Sequence, residues 1–180
     1  MRQRSSDSLS VLYVIVCGSS SAFRATELVG LALSEGWTVC VIPTPSGTKF
    51  IDVASLAHQT GYPVRSEYKH PSEPDVLPPP DAIVVFPATF NTLNKWVLGI
   101  SDTLAVGLLC EHTGRRTPIV AVPGVTTNSG LDAHPAFQHS IGQLRDYGVH
   151  VIYEPDRYPP GNQVPCDVVL SHLDPLIGPR

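Results

Sequence analysis

Cysteine is scarce in this chain of 180 residues, and its four cysteines lie far apart. Cys17, Cys40, Cys110 and Cys166 form no CxxC pair, and the histidines are not clustered at the spacing of metal ligands. A zinc site is therefore not expected. Cys17 and Cys40 fall in apolar runs typical of strands, where a free thiol behaves as a small hydrophobic side chain. We interpret the cysteines as free thiols of a reducing compartment.

Long apolar runs and clusters of basic charge are also missing. No stretch approaches the roughly 18–20 apolar residues of a membrane span. The run VLYVIVC after the early arginines suits a buried strand better than a signal peptide. The formal net charge is −4, and the densest basic cluster is Arg115-Arg116. Because nucleic acid and anionic lipid attract basic surfaces, we expect neither as a partner. A cytoplasmic protein with a small-molecule ligand is favoured.

Apolar runs alternate with segments of helical period along the chain. Strands are predicted over VLYVIVC, WTVCVI, AIVVFP, PIVAVPG and VHVIY. Continuous apolar strands separated by helices are typical of a parallel sheet that is covered on both faces. The sequence therefore predicts an α/β fold, a three-layer Rossmann-like (flavodoxin-like) parallel sheet with helices on both faces. With 42% hydrophobic residues, the chain suits a single domain over residues 1–180.

Glycines and prolines mark the boundaries of helices and loops in the segments between the strands. A first helix over AFRATELVGLALSEG should stop at Gly36, and a later helix should occupy about 135–147. FIDVASLAHQTG predicts another helix, with Phe50, Val53, Ala54 and Ala57 on its apolar face. A short extended piece is expected near PVRSEY. Five prolines in KHPSEPDVLPPPD predict a loop. Residues 1–9 should be loosely ordered, and the proline-rich tail 155–180 should wrap the surface.

Three strand ends carry glycine, hydroxyl and amide side chains. CGSSSAFRATELV follows the first strand, and its Gly18, Ser19 and Ser20 form a phosphate cradle without a lysine. PTPSGTKF follows the second strand with Thr44 and Ser46. The ligand crevice of a parallel α/β sheet lies beyond the carboxyl ends of its strands, so these loops should share one edge. Neither GxGxxG nor GxxxxGK[ST] is present. Small residues are also needed there simply to cap a helix.

A third strand end, PATFNTLNKW, mixes polar and apolar side chains. Thr89, Asn91 and Thr92 offer hydrogen bonds to a polar ring edge, while Ala88 and Phe90 offer apolar contact with its face. Such a mixed lining is typical of ligand sites. The alternative is that Thr89 or Asn91 only caps the next helix.

PATFNTLNKWVLGISDTLA resembles the PASANT region of the homo-oligomeric flavin-containing cysteine decarboxylases, which continues with Lys, Gly and Asp at the spacing of Lys95, Gly99 and Asp102. CGSSSAFRATELV and TPSGTKFI are similar to the family's two earlier loops, in register over about 11–153. The resemblance implies bound FMN. By position, Gly18, Ser19, Ser20, Thr44 and Ser46 would hold the phosphate side, Thr89, Phe90, Asn91 and Thr92 would line the isoalloxazine, and Gly124 would approach the flavin.

The resemblance also implies an activity and an assembly. Enzymes of this family oxidise a cysteine thiol to a thioaldehyde, after which the neighbouring carboxylate leaves as carbon dioxide. Their flavin lies where the subunits of a trimer meet, so a homo-oligomer, a trimer or a multiple of trimers, is expected. The largely apolar helix predicted over 91–110 suits burial between chains, although an internal core helix would look the same. A peptide or small-molecule thiol is the expected substrate.

Two catalytic candidates depart from the family pattern. His70 is the histidine upstream of DAIVVFP and lies three residues earlier than the family's catalytic acid or base. PGVTTNSGLDAHP replaces the substrate motif PxMNxxMW, so that Asn128 lies two residues beyond the asparagine position, which holds Thr126. Either Asn128 takes over that role, or the substrate is not a cysteinyl carboxylate. Cys166 lies in the region of the family's clamp without its glycines.

Several alternatives therefore stay open. A non-catalytic FMN-binding oligomeric regulator or cofactor carrier would tolerate the altered substrate motif. The prenylated-flavin synthase branch is less favoured, because its arginine-rich C-terminal segment is not evident. A doubly wound nucleotide-binding protein without flavin would require a chance match. We interpret Lys95 and Asp102 as a helix-surface or subunit-contact pair, two turns apart, and His134 and His139 as surface or capping residues.

Overall fold

The computed structural model describes residues 10–159 and 161–177. Its strands are β1 (Val11–Val16), β2 (Thr38–Pro43), β3 (Ala82–Ala88), β4 (Ile119–Pro123) and β5 (His150–Val151). Its helices are α1 (Ala25–Ser34), α2 (Val53–Thr60), α3 (Phe90–Val97), α4 (Leu104–Gly114), α5 (Pro135–Asp146), α6 (Cys166–Ser171) and α7 (Asp174–Ile177). The N-terminal stretch 1–9, expected to be loosely ordered, lies outside the described residues.

The five strands form one parallel sheet in the order β2-β1-β3-β4-β5. All residues of β1 and β3 are buried, which explains why they read as continuous apolar runs rather than as alternating patterns. Tyr13 and Ile15 belong to the core on one face, and Leu12 and Val14 to the core on the other. This architecture confirms the predicted flavodoxin-like α/β fold.

Helices cover both faces of the sheet. Leu93 of α3, Leu109 of α4 and Phe137 of α5 pack in the core that contains Tyr13 and Ile15. The opposite core is closed by α1, α2 and α6, through buried residues that include Leu28, Leu56 and Val169. The connection from β1 through α1 to β2 therefore lies on the face opposite α3 and α4. This division leaves the carboxyl ends of the strands as the meeting place of loops from both layers.

The C-terminal end of α1 and the start of α5 lie where the sequence predicts them. The chain leaves α1 through Gly36 at φ 85°, a left-handed conformation that glycine adopts without steric cost. Helix α5 begins with Pro135 at its first position, and His134 is its N-cap, accepting the N–H of Ala136 at 3.1 Å. The capping interpretation of His134 is confirmed. His139 is exposed, as expected.

The predicted apolar face of α2 is wrong. Phe50 and Val53 are 47% and 37% exposed, and Ala54 is exposed as well. Leu56 is instead the residue that α2 buries. The reason is local, because Asp52 caps the helix by accepting the N–H of Ser55 at 3.0 Å, so that Phe50 lies in the preceding 3-10 turn. The predicted apolar face therefore combined Phe50, which precedes the helix, with residues of α2 itself.

The helix predicted over 91–110 is two helices, α3 and α4. Gly99 has φ 69°, and the N–H of Ile100 turns back to the carbonyl of Lys95 at 2.9 Å. Thr103 then caps α4 by accepting the N–H of Val106 at 3.4 Å. Leu98 and Ile100 at the turn are 72% and 41% exposed. The break brings the N-terminus of α4 to the carboxyl edge of the sheet.

Two connecting segments pack against the sheet and its helices. The segment PVRSEY, expected to be a short extended piece, forms no strand within the described residues, and the N–H of Arg65 donates to the carbonyl of Val41 in the edge strand β2 at 3.4 Å. The part of the tail over 161–177 does more than wrap the surface, because it forms α6 and α7. Cys166, Val169 and Leu170 of α6 are buried in the core beside α1, and that burial stabilises the proline-interrupted segment.

Acidification should destabilise the fold through His112. This residue of α4 is 6% exposed and lies 2.8 Å from the hydroxyl of Thr117, and burial lowers its pKa. Because the neutral imidazole is favoured in the folded chain, its stabilising contribution is complete above the unfolded pKa of about 6.5 and is lost as the pH falls. Thermal unfolding between pH 8 and pH 5 should show His112→Asn less stable at pH 8 but less sensitive to acid. The exposed His139→Asn control should follow the wild-type curve.

Candidate functional site

The carboxyl edge of the sheet contains a cleft at the point where the strand order reverses. With the order 2-1-3-4-5, that point lies between β1 and β3, where ligands of doubly wound folds bind. The cleft encloses about 290 Å³, and we call it the switch-point cleft. It is lined by Gly18, Thr44, Pro45, Ser46, Thr89, Asn91, Thr92, Lys95, Asp102, Thr103 and Val106. Six of the ten predicted flavin contacts are among them.

Two helices begin at this cleft. Thr89 caps α3 by accepting the N–H of Thr92 at 3.4 Å, and Thr103 caps α4 in the same way. The first-turn N–H groups of a helix carry a partial positive charge that favours anions. Thr89 therefore caps a helix and lines the cleft, so the two readings of PATFNTLNKW are compatible.

The loop after β2 closes the cleft against β1. Thr44 donates its N–H to the carbonyl of Val16 at 2.9 Å and accepts the N–H of Gly47 on its hydroxyl at 3.0 Å. This places Ser46 against Gly18, where a Cβ on Gly18 would lie 3.1 Å from the Cβ of Ser46. The Ser46 hydroxyl makes no hydrogen bond to any residue that the structure describes and is exposed. It is available to a ligand.

The buried thiol of Cys17 lies next to Thr89 and Thr92. Cys17 is 1% exposed, and burial raises the pKa of its thiol, while hydrogen bonding to Thr92 and Thr89 acts in the opposite direction. The thiol stays protonated near neutral pH and supports the hydroxyls that line the cleft. Cys166 is also buried, and burial raises its pKa to about 12. Neither cysteine is exposed as a reactive thiolate.

Three of the other four predicted flavin contacts line a separate, smaller cavity. Ser19, Ser20 and Gly124 line a smaller cavity of about 50 Å³, which also includes Arg24 and Asn162. Asn162 is 3% exposed and donates to the carbonyls of Pro123 and Ile152 at 3.1 and 2.8 Å, so it fixes the tail across the ends of β4 and β5. Sequence reasoning gave the tail no role at this edge.

Phe90 points away from the switch-point cleft. Its ring packs against Phe137 at 6.4 Å and meets the edge of His134 at 5.3 Å, in a groove between α3 and α5 that encloses about 220 Å³. Phe90 is therefore separated from Thr89, Asn91 and Thr92, with which it was grouped as a contact of the ring.

The two catalytic candidates lie outside the cleft of their own chain. His70 is exposed on the loop between α2 and β3, with its Nδ1 2.8 Å from the hydroxyl of Ser72. Asn128 is exposed at φ 62°, and its backbone N–H donates to the carboxylate of Asp132 at 2.8 Å. The hydrogen bond from the Asn128 N–H lowers the pKa of Asp132. Neither side chain lines the cleft.

Lys95 and Asp102 are site residues that the sequence reasoning missed. They form an ion pair and are the two charged side chains of the cleft lining. Lys95 lies one turn after Asn91 on α3, so that its ammonium and the Asn91 amide share one face. The spacing of four between Asn91 and Lys95 could have indicated that Lys95 lies at the cleft. The spacing of seven between Lys95 and Asp102 was not informative, because Asp102 lies between α3 and α4 rather than on the same helix.

Neither a cluster of metal ligands nor a membrane-spanning helix is found among the described residues. Within residues 10–159 and 161–177, no three His, Cys, Asp or Glu side chains are grouped so that they could hold a metal ion. No described helix is long and apolar enough to cross a bilayer. The donors gathered at the cleft are hydroxyls, amides and one ammonium, which are suited to a phosphorylated organic ligand.

Comparison with known proteins finds similarity over most of the chain. The family model "Flavoprotein" matches residues 2–176. The "Coenzyme A biosynthesis bifunctional protein CoaBC" of Mycolicibacterium smegmatis is 29% identical over 151 residues, which are 80% of this chain and 34% of the relative. The CoaBC protein of Mycobacterium bovis is 31% identical over 144 residues, 78% of this chain and 33% of the relative. The chain spans about a third of the length of these relatives.

Solved structures share the fold. The FMN-dependent cysteine decarboxylase TvaF from thioviridamide biosynthesis is 27% identical with a TM-score of 0.69, covering 82% of this chain and 91% of that one. A PPC decarboxylase mutant complexed with pantothenoylaminoethenethiol is 18% identical with a TM-score of 0.74, covering 92% and 97% of the two chains. At that identity the second likeness shows the fold alone.

Proposed function

This chain belongs to the Flavoprotein family, and from that premise we propose that it binds FMN in the switch-point cleft and decarboxylates a cysteinyl or related thiol substrate oxidatively. The observation that carries the proposal is the convergence of Gly18, Thr44, Ser46, Thr89, Asn91 and Thr92, from three strand ends, on that one cleft. Similarity to the cysteine decarboxylase TvaF supports the activity.

The donor set of the cleft fits FMN. The unpartnered hydroxyl of Ser46 and the backbone at Gly18 suit the phosphate side, next to the smaller cavity of Ser19 and Ser20. Asn91 and Thr92, in the first turn of α3, offer an amide and a hydroxyl to the polar edge of the ring. Lys95 adds one positive charge, which Asp102 holds in place. Gly124 lines the smaller cavity at the neighbouring strand end, together with Ser19 and Ser20.

FMN would supply a two-electron oxidant for a thiol. In the overall reaction the substrate would lose its C–H and S–H hydrogens as two electrons and two protons to give a thioaldehyde. The adjacent carboxylate would then leave as carbon dioxide, and the resulting enethiolate would take up one proton to give the enethiol. The protein must bind the carboxylate substrate, exclude water from the cleft and take a proton from the substrate. An imidazole is suited to that proton transfer near neutral pH.

His70 would provide this imidazole to a neighbouring subunit. Within its own chain the residue is exposed and outside the cleft, so a catalytic role requires a homo-oligomer in which the loop over 69–81 faces the cleft of the next chain. A trimer or a multiple of trimers satisfies this arrangement. Asn128 has a side-chain amide with no hydrogen bond to a described residue, and we assign it to substrate binding on the same terms.

A non-catalytic FMN-binding regulator or cofactor carrier is the second candidate function. It is favoured by the exposed turn that holds Asn128 outside the cleft, and by Thr126 at the family's asparagine position. Carbon dioxide release from C-terminal cysteine peptides and from phosphopantothenoylcysteine separates the two candidates. Release that disappears in His70→Asn supports the enzyme, whereas FMN-loaded protein that turns over none of these substrates supports the carrier.

Ser46→Ala should weaken FMN binding about tenfold without destabilising the protein, because it removes one hydrogen bond to a charged group. The purified protein should show flavin absorption, and fluorescence quenching should give the two dissociation constants. Riboflavin, which lacks the phosphate, should bind wild type and variant equally. Ser55→Ala, on the exposed side of α2, is the matched control. Equal loss of riboflavin affinity would contradict the placement of Ser46 at the phosphate.

A further inference from the structure

A second and larger cavity lies under the long loop between α2 and β3. It encloses about 610 Å³ between residues 65–80, α4 and the edge of the sheet, and we call it the loop cavity. It shares no lining residue with the switch-point cleft. Thr103 and Val106 of α4 line the cleft, whereas Leu104 and Leu108 line the loop cavity. The two spaces therefore lie on different sides of the same helix.

Hydrogen bonds hold the loop that forms the outer wall of the loop cavity in place. Tyr13 donates its hydroxyl to the carbonyl of Pro78 at 2.7 Å, and Tyr68 donates to the carbonyl of Thr103 at 3.3 Å. Five prolines over 69–81 limit the conformations of the segment. Irregular loops longer than about 12–15 residues are uncommon in compact domains unless they are functional or disordered. A volume of this size also falls within the range of ligand pockets.

Part of the lining of the loop cavity is an apolar surface. Ile42, Leu77, Leu104 and Leu108 contribute aliphatic side chains. Tyr13 adds an aromatic ring, and burial raises the pKa of its phenol to about 12, so that the group stays neutral. A ligand body in contact with this surface must be hydrocarbon or aromatic.

One uncompensated cation lies at this apolar surface. Among the basic residues of the lining, Lys69 is paired with Asp75 at 3.3 Å and Arg115 with Glu111 at 2.7 Å. The guanidinium of Arg65 donates one hydrogen bond, to the carbonyl of Glu67 at 3.3 Å, and has no carboxylate partner among the described residues. Because a guanidinium has five N–H donors in a planar fork, Arg65 retains the geometry that binds a carboxylate.

We propose that the loop cavity is a second small-molecule site, which takes an apolar carboxylic acid with its hydrocarbon or aromatic body on the aliphatic surface and its carboxylate at Arg65. The site does not depend on FMN, since no lining residue is shared with the switch-point cleft. It therefore offers a place where a metabolite of the acid class binds beside α4, the helix whose N-terminus lines that cleft.

The matched probes 8-anilinonaphthalene-1-sulfonate and N-phenyl-1-naphthylamine test the proposal, because they share the aromatic body and differ in the anionic group. On FMN-saturated protein, the sulfonate should bind one site per chain and Arg65→Gln should weaken it about tenfold, the loss of one charge-assisted contact. The neutral amine should bind both proteins equally. Arg157→Gln, at an exposed ion pair, is the control and should bind like wild type.

Leu77→Trp tests the location separately, because this half-buried loop residue lines the cavity and its enlargement fills the space. The variant should lose both probes while retaining its flavin absorption, which reports that the fold is intact. Sulfonate affinity within twofold of wild type in Arg65→Gln, or unchanged binding of both probes in Leu77→Trp, would overturn the proposal. The second result would place the probes on exposed apolar surface or show that another chain fills the cavity.

Discussion

A one-to-one mixture of His70→Asn and Asn91→Ala subunits should release carbon dioxide at about a quarter of the wild-type rate, although each variant alone is nearly inactive. Loss of a general base costs about 10²–10⁴-fold, and loss of a positioned donor about 10²–10³-fold. If each site combines the cleft of one chain with His70 of the next, a site works when the cleft chain keeps Asn91 and its neighbour keeps His70. Random assembly gives about one quarter of such sites.

The experiment requires subunit exchange, by co-expression or by mixing after reversible dissociation, with flavin content measured in every sample. His58→Asn is the matched control, since His58 is an exposed histidine on α2, and it should keep full activity in any mixture. Activity that stays at the sum of the two variants would show that His70 does not serve a neighbouring cleft. Near wild-type activity of His70→Asn alone would remove the residue from the chemistry.

The sheet and the location of the cleft were predictable because both depend on local sequence. A strand that is buried on both faces must be apolar along its whole length, so β1 and β3 are visible as runs. In a parallel sheet every strand ends at the same edge, so polar residues that follow the runs must converge there. Gly18, Ser46 and Asn91 meet for this reason, although 73 positions separate the first from the last.

Lys95 and Asp102 were interpreted as a pair, but the position of this pair in the cleft could not be predicted from local sequence. In a continuous helix a spacing of seven places two side chains two turns apart. The turn at Gly99 ends α3 and folds Asp102 back onto Lys95. Whether a glycine in an apolar segment stays helical or adopts positive φ depends on tertiary packing. For this reason the apolar sequence over 91–110 predicts one continuous helix, whereas the structure has α3 and α4.

The loop cavity and the packed tail also depend on contacts between distant residues. Arg65 and Leu108 both line the loop cavity although they are far apart in sequence, and no local pattern links them. Asn162 reaches the ends of β4 and β5 because its amide satisfies two buried carbonyls, a requirement of the folded sheet rather than of its own segment. Proline-rich sequence predicts irregular backbone but does not indicate what that backbone covers.

Gly47→Ala should strongly destabilise the loop after β2, which forms one side of the switch-point cleft. A Cβ at this position would lie 2.3 Å from the carbonyl oxygen of Val16, an atom of the buried strand β1 that also accepts the N–H of Thr44 at 2.9 Å. Neither backbone can retreat without breaking this hydrogen bond. We expect a loss of about 2–4 kcal/mol in the free energy of unfolding, which lowers Tm by roughly 5–15 °C in a chain of this size.

Gly142→Ala provides the matched control, because it makes the same chemical change on the exposed side of α5, where a Cβ meets nothing within 4 Å. Alanine is the better helix former, so this variant should gain about 1 kcal/mol. The two substitutions should therefore shift Tm in opposite directions in calorimetry. Gly47→Ala should also lose FMN affinity, since the β2 loop that presents Ser46 must move. An unchanged Tm in Gly47→Ala would mean that this loop does not lie against β1, and the switch-point cleft would lose one of its walls.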